Sequence, residues 1–139
     1  MKVKILFIPL LFAFITASCD ENQQVVKKLD GTWEVESFNG DTVSSSQFVF
    51  SKIKFNECKL KDNEFCDGQV FIFNLFAINV DYTVSNEGNT LGFKVPEELM
   101  EMDSTLFESG TVNFTIVDLE KEKLKLQLEG TIYDYKKVE

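Results

Sequence analysis

Along most of the chain, apolar and polar residues alternate with a period of two, as half-buried β-strands require. Trp33 and Val35 alternate with Thr32, Glu34 and Glu36. Ile53 and Phe55 alternate with Lys52, Lys54 and Asn56, while Phe48 and Phe50 fall on the opposite parity, which predicts a bulge near Ser51. Residues 69–84 are apolar on both parities at first. Ile78, Val80, Tyr82 and Val84 then alternate with Asn79, Asp81 and Thr83. The segment reads either as one long bent strand or as two strands with a tight change near Asn74. Further strands are predicted at Leu91, Phe93 and Val95, at Val112, Phe114 and Ile116, and at Leu124, Leu126 and Leu128. A last strand covers residues 131–136, with Tyr133 and Tyr135 on one face. Turn residues punctuate these runs at Asn39-Gly40-Asp41, Asn86-Glu87-Gly88-Asn89, Glu120-Lys121-Glu122 and Gly130. The one segment with helical character, residues 97–102 after Pro96, is long enough for a single helical turn. About eight strands with short connections predict an all-β, antiparallel, up-and-down architecture. No strand–helix–strand crossover is present to build a parallel sheet. Closure into a barrel would remove the edges on which such aromatic strands aggregate.

The start of the chain follows another pattern. Lys2 and Lys4 precede an apolar run from residue 5 to 15, then Thr16, Ala17 and Ser18 lead to Cys19. A basic start, a short apolar core and small residues make a secretory signal. The run falls short of the roughly 20 residues of a membrane-spanning helix, and Pro9 interrupts it. The placement of the cysteine resembles the bacterial lipoprotein signal, which is cleaved just before a cysteine that is then lipidated. That resemblance implies a lipid on Cys19 and anchoring without a spanning segment. Asp20 and Glu21 resemble the export tag with which some Bacteroidota lipoproteins reach the cell surface. The expected location is therefore the cell envelope, lipid-anchored to the outer membrane on its periplasmic face or at the cell surface. The expected organisation is a signal peptide over 1–18, a flexible tether over 19–28 and one domain over 29–139.

Composition narrows the chemistry. Two of the 14 lysines precede Cys19 and all 23 acidic residues follow Ser18, so the mature chain carries 12 positive against 23 negative charges, a balance of −11. Such a chain repels phosphate backbones, which argues against nucleic-acid partners. It contains no histidine and no arginine. Catalytic triads built on histidine, His-based metal sites and bidentate guanidinium clamps are all excluded. Glu97, Glu98, Glu101 and Asp103 form the densest carboxylate group but lack calcium-loop spacing, and read as a solvated loop. The sequence reading assigns no catalytic residue, metal or cofactor. Cys58 and Cys66 remain once Cys19 is set aside, and outside the cytoplasm they read as a disulfide rather than a redox or metal pair.

Gly31 and Trp33, at the start of the first strand, form a Gly-x-Trp sequence that looks like the lipocalin motif. With the lipobox, the cysteine pair, the hairpin at 86–89 and the Leu-x-Leu-x-Leu strand at 124–128, the layout is similar to lipocalin-like domain lipoproteins of Bacteroidota. The resemblance implies a lipocalin-like barrel over residues 29–137 with Gly31 and Trp33 at its base. In true lipocalins a late-strand arginine packs across the motif tryptophan; here that lock is either absent or replaced by a lysine. A small barrel can hold one apolar ligand in its mouth, and 11 of the 14 phenylalanines lie in the mature chain. The candidate ligand contacts are Phe71, Phe73, Phe76, Tyr82, Phe93 and Phe114. The expectation is a non-enzymatic carrier of a small apolar molecule. The alternative is an accessory or inhibitor lipoprotein that engages a protein partner through its acidic surface.

Overall fold

The computed structural model describes residues 21–42, 50–97 and 110–139. Helix α1 (Glu21–Leu29) leads into β1 (Gly31–Phe38) and a two-residue strand β2 (Asp41–Thr42). There follow β3 (Lys52–Phe55), β4 (Cys66–Ile72), β5 (Phe76–Ser85), β6 (Thr90–Lys94), β7 (Thr111–Leu119), β8 (Lys123–Leu128) and β9 (Thr131–Lys137). Every strand pairs antiparallel with its neighbour, and β1 also pairs with β9, so eight strands close into a barrel and β2 extends the end of β1. The predicted all-β up-and-down barrel is therefore the fold. Residues 69–84 form two strands, and the tight change falls at Phe73–Leu75, where Phe73 and Asn74 both have positive φ. Phe50 and Ile53 are both buried, so the inward parity changes across Ser51 as the pattern predicts.

The N-terminal end departs from expectation. Residues read as a tether form α1, with Val26 and Leu29 fully buried. Nine residues are too few for a stable isolated helix, so tertiary contacts hold it. Gly88 N donates to Asn22 Oδ1 at 2.7 Å. Gln23 clasps the loop before β4, with Nε2 donating to the Cys58 carbonyl at 2.8 Å and Oε1 accepting from Leu60 N at 2.9 Å. The Trp33 indole Nε1 donates to the Leu29 carbonyl at 2.8 Å, capping the helix C-terminus. A side chain at Gly88 would run into Val25, so the β5–β6 turn can lie against the helix only with glycine there. The Cys58–Cys66 disulfide closes the loop that Gln23 grips. Closing about nine residues stabilises the fold by roughly 2.5 kcal/mol on loop-closure entropy. The helical turn expected over 97–102 lies, apart from Glu97, outside the described residues, as do the signal segment and Cys19.

Trp33 stands where these elements meet. Its side chain is fully buried, and the Lys137 ammonium lies over its ring at 5.5 Å from the centroid. The lock over the tryptophan is thus a lysine. Gly31, at φ +125°, packs so closely on the Glu139 carbonyl and the Lys137 side chain that no Cβ would fit. Trp33→Phe removes the donor to Leu29 and part of the plug, and is expected to cost about 2–4 kcal/mol. Urea unfolding followed by circular dichroism measures it; a loss below about 1 kcal/mol would mean that the base does not depend on the indole.

Candidate functional site

The inward face is aromatic. Phe50, Phe55, Tyr82, Phe93 and Phe114 are buried and touch one another, with ring centroids 5.0 Å apart for Phe55–Tyr82, 5.6 Å for Phe50–Phe114 and 5.8 Å for Phe93–Phe114. Such edge-on contacts match interior packing. Trp33, Ile53, Val70, Leu91, Leu124 and their neighbours are buried with these rings in one continuous core.

At the opposite end the described inward side chains are less buried. That end carries the turns at Asn39–Gly40, Phe73–Leu75 and Glu129–Gly130. There the inward residues Ile78, Leu128 and Tyr133 are only partly buried against the core. Phe38 is also half-buried and meets Tyr133 edge-on at 5.4 Å, and Tyr133 meets Phe114 at 6.3 Å. A chain of rings therefore runs from the core to the mouth: Phe93, Phe114, Tyr133, Phe38.

The six candidate ligand contacts separate into three places. Tyr82, Phe93 and Phe114 lie inside the barrel. Phe71 shares the outer face of β4 with Gln69 and Asp67, half-buried beneath Lys52 Nζ at 5.5 Å from its ring, so it does not line the interior. Phe73 and Phe76 lie exposed at the β4–β5 hairpin tip. The parity argument did not resolve these three because both faces of that segment are apolar. It also passed over Tyr133 and Phe38, which carry the ring chain to the surface, and over the buried Phe50 and the partly buried Leu128. The shared parity of Tyr133 and Tyr135 was the signal for one of them.

The polar atoms inside are committed. Tyr82 Oη donates to the Asn56 carbonyl at 2.7 Å and Tyr135 Oη to the Phe50 carbonyl at 2.9 Å. Burial raises the pKa of both phenols; the Asp30, Glu57 and Asp67 carboxylates add to the rise at Tyr82, and Tyr133 to that at Tyr135. Burial also raises Tyr133. Among the described residues no buried side-chain nitrogen or oxygen lacks a partner, and no group of three metal-ligating side chains assembles. Two concavities, of about 550 and 560 Å³, lie outside the barrel. One spans β3–β6 over Lys54, Asp67, Gln69, Asn79, Asp81 and Lys94; the other lies between α1 and the disulfide loop.

A crystallised lipocalin-like protein from Bacteroides uniformis ATCC 8492 superposes on this chain with a TM-score of 0.53 at 18% identity, covering 80% of this chain and 99% of that one. The fold is lipocalin-like. A crystallised uncharacterized protein from Bacteroides eggerthii DSM 20697 gives a TM-score of 0.46 at 13% identity, covering 79% of this chain and 99% of that one. No family model and no curated protein matches the sequence.

The tyrosines give this lipocalin-like barrel a defined alkaline limit. Each phenol is neutral in the fold, with a pKa above its unfolded value of about 10. Their contribution to stability is complete below that pH and lost as pH rises through the folded values. Tyrosinate absorbance from the buried Tyr82 and Tyr135 should stay absent at pH about 10 and appear together with unfolding at higher pH. Three tyrosines that titrate near pH 10 in the intact fold would contradict the burial of their hydroxyls.

Proposed function

We propose that this chain is a non-enzymatic lipoprotein, anchored through Cys19 to the outer membrane on its periplasmic face or at the cell surface. Its barrel binds one small apolar molecule at the mouth. The observation that carries the ligand reading is the ring chain from Phe93 and Phe114 out to the half-buried Tyr133 and Phe38. Below these rings the space is taken by side chains, so the ligand sits against Phe38, Ile78, Leu128 and Tyr133 rather than deep in the barrel. A lipocalin-like fold supports this reading, since small barrels present one apolar ligand site at the mouth. A sequence without histidine lacks the commonest general base, which favours a binding role over catalysis.

The alternative, a partner held by an acidic face, draws less support. On the described sheet acidic residues interleave with lysines: Glu34 faces Lys52 and Lys136 across the strands, Asp81 faces Lys94 and Asp134 faces Lys125. Two of these contacts are ion pairs at 3.8 Å.

Displacement of a fluorescent apolar dye, with native mass spectrometry for stoichiometry, tests the ligand reading. One molecule should bind per chain, and Leu128→Gln should weaken binding about tenfold by placing an amide in an apolar contact, with little change in unfolding midpoint. Equal affinity in the parent and the variant would move the ligand elsewhere; no binding in either would remove it. For the anchor, metabolic labelling with a radioactive fatty acid should mark the parent chain in the outer-membrane fraction. Cys19→Ala should be unlabelled there, and label retained by that variant rules the lipid site out.

A further inference from the structure

The β4–β5 hairpin tip presents Phe73, Leu75 and Phe76 to solvent at 37%, 77% and 60% exposure. Phe73 and Asn74 both adopt the left-handed conformation, at φ 51° and 59°. For a bulky side chain that conformation is unfavourable and persists only where the surroundings impose it. Ser51, itself fully buried, imposes it. Its Oγ accepts from Asn74 N at 2.9 Å and donates to the Phe71 carbonyl at 2.8 Å, and its N–H donates to the same carbonyl at 3.1 Å. Leu75 N closes the turn on the Ile72 carbonyl at 2.9 Å. The tip is a braced, convex apolar projection.

Polarity is graded away from it. Between Asp67 and Asp81 the chain has no charged residue. On the outer face, the pair Phe71 and Ala77 comes first, then Gln69 and Asn79, joined by a 3.1 Å hydrogen bond, and only then Asp67 opposite Asp81. At about 3.3 Å per residue these steps run from apolar tip to carboxylates over roughly 20 Å. Lys52 of β3 lies over Phe71 and pairs with Glu34, so charge begins beside Phe71 and only Phe73, Leu75 and Phe76 stand clear of it. The order is that of shallow insertion at a lipid interface: an apolar tip among acyl chains, then a polar and charged flank at headgroup depth and in water. We propose that this tip inserts into a zwitterionic lipid surface and docks the mouth end of the barrel against it; because α1 begins against Gly88 at the opposite end, that surface is a different one from the membrane that would hold Cys19.

Another copy of the chain fits less well. The three exposed side chains offer on the order of 300 Å², and a symmetric pair of tips would bury about 600 Å², short of the roughly 1,200 Å² of a stable interface. A convex tip needs a shaped socket in a protein partner, whereas a bilayer accommodates it without one. The excess of negative charge directs it to a neutral surface rather than an anionic one.

Tryptophan fluorescence tests the insertion. Trp33 is the single native tryptophan and is fully buried at the other end, so it supplies a constant background. The mature chain from residue 19 carrying Cys19→Ser, which has neither the apolar signal segment nor an acyl group to insert, is given either Leu75→Trp or, at the opposite end, Val138→Trp. Vesicles of phosphatidylcholine with brominated acyl chains should shift the Leu75→Trp emission to the blue and quench it by about half, and quench Val138→Trp much less. Adding Phe76→Ser to Leu75→Trp should weaken vesicle partition about tenfold, while the Trp33 signal reports an intact fold. Emission from Leu75→Trp that is unchanged, or quenched no more than that of Val138→Trp, overturns the proposal. So does a blue shift that grows with protein concentration without vesicles, which would assign the tip to another copy of the chain.

Discussion

The Trp33 indole is the contact on which the architecture turns. β1 is the strand that pairs on one side with β3 and on the other with β9, so barrel closure runs through it. Trp33 faces inward at that seam, donates to the last carbonyl of α1 and lies beneath Lys137 of the final strand. One side chain therefore links the entry helix, the first strand and the last, across about a hundred residues of sequence. The ammonium over the indole adds on the order of 1 kcal/mol. Its larger effect is positional, because it covers the ring where the barrel would otherwise open to water. Pairing of such distant strands must meet its loop-closure cost before it is rewarded. Gly31 allows the chain ends to meet at this seam without a clash.

Most of this fold was legible because antiparallel strands with one buried face repeat with period two, and their turns carry residues that tolerate positive φ, as at Asn39–Gly40 and Glu129–Gly130. The helix was not. Val25, Val26 and Leu29 give it only three apolar positions, and its stability comes from Asn22, Gln23 and Leu29 finding partners far away in sequence. A trace was present: the spacing of those three residues, with Glu21 in the first turn and Lys27 and Lys28 in the last, matches an amphipathic helix oriented with its dipole.

The candidate site was legible only in part, for a different reason. Where both parities are apolar, as at residues 70–78, periodicity cannot say which phenylalanine faces in. Register decides it. Gly68, Val70 and Ile72 are the buried set on β4, next to Ile53 and Phe55 of β3, and that choice leaves Phe71 outside. The disulfide needed no register, because Cys58 and Cys66 lie only eight residues apart and are the pair left once Cys19 is set aside.

The way the barrel satisfies its own polar groups bears on what its mouth can accept. An interior site usually fixes its ligand with a few aimed donors or acceptors. Here the two deepest phenols donate to the carbonyls of Asn56 and Phe50, and Ser51, buried beside them in the sequence, donates to Phe71 and accepts from Asn74. These groups brace the framework, and redirecting one toward a ligand would leave a buried carbonyl without its partner, at a cost of about 1–3 kcal/mol. A guest with hydrogen-bonding groups of its own would lose water without recovering the bonds. One made of rings or methylenes loses nothing by entering and gains contact with Phe38, Leu128 and Tyr133. Under the proposed ligand reading, the same economy of donors that makes the base rigid favours apolar guests over polar ones.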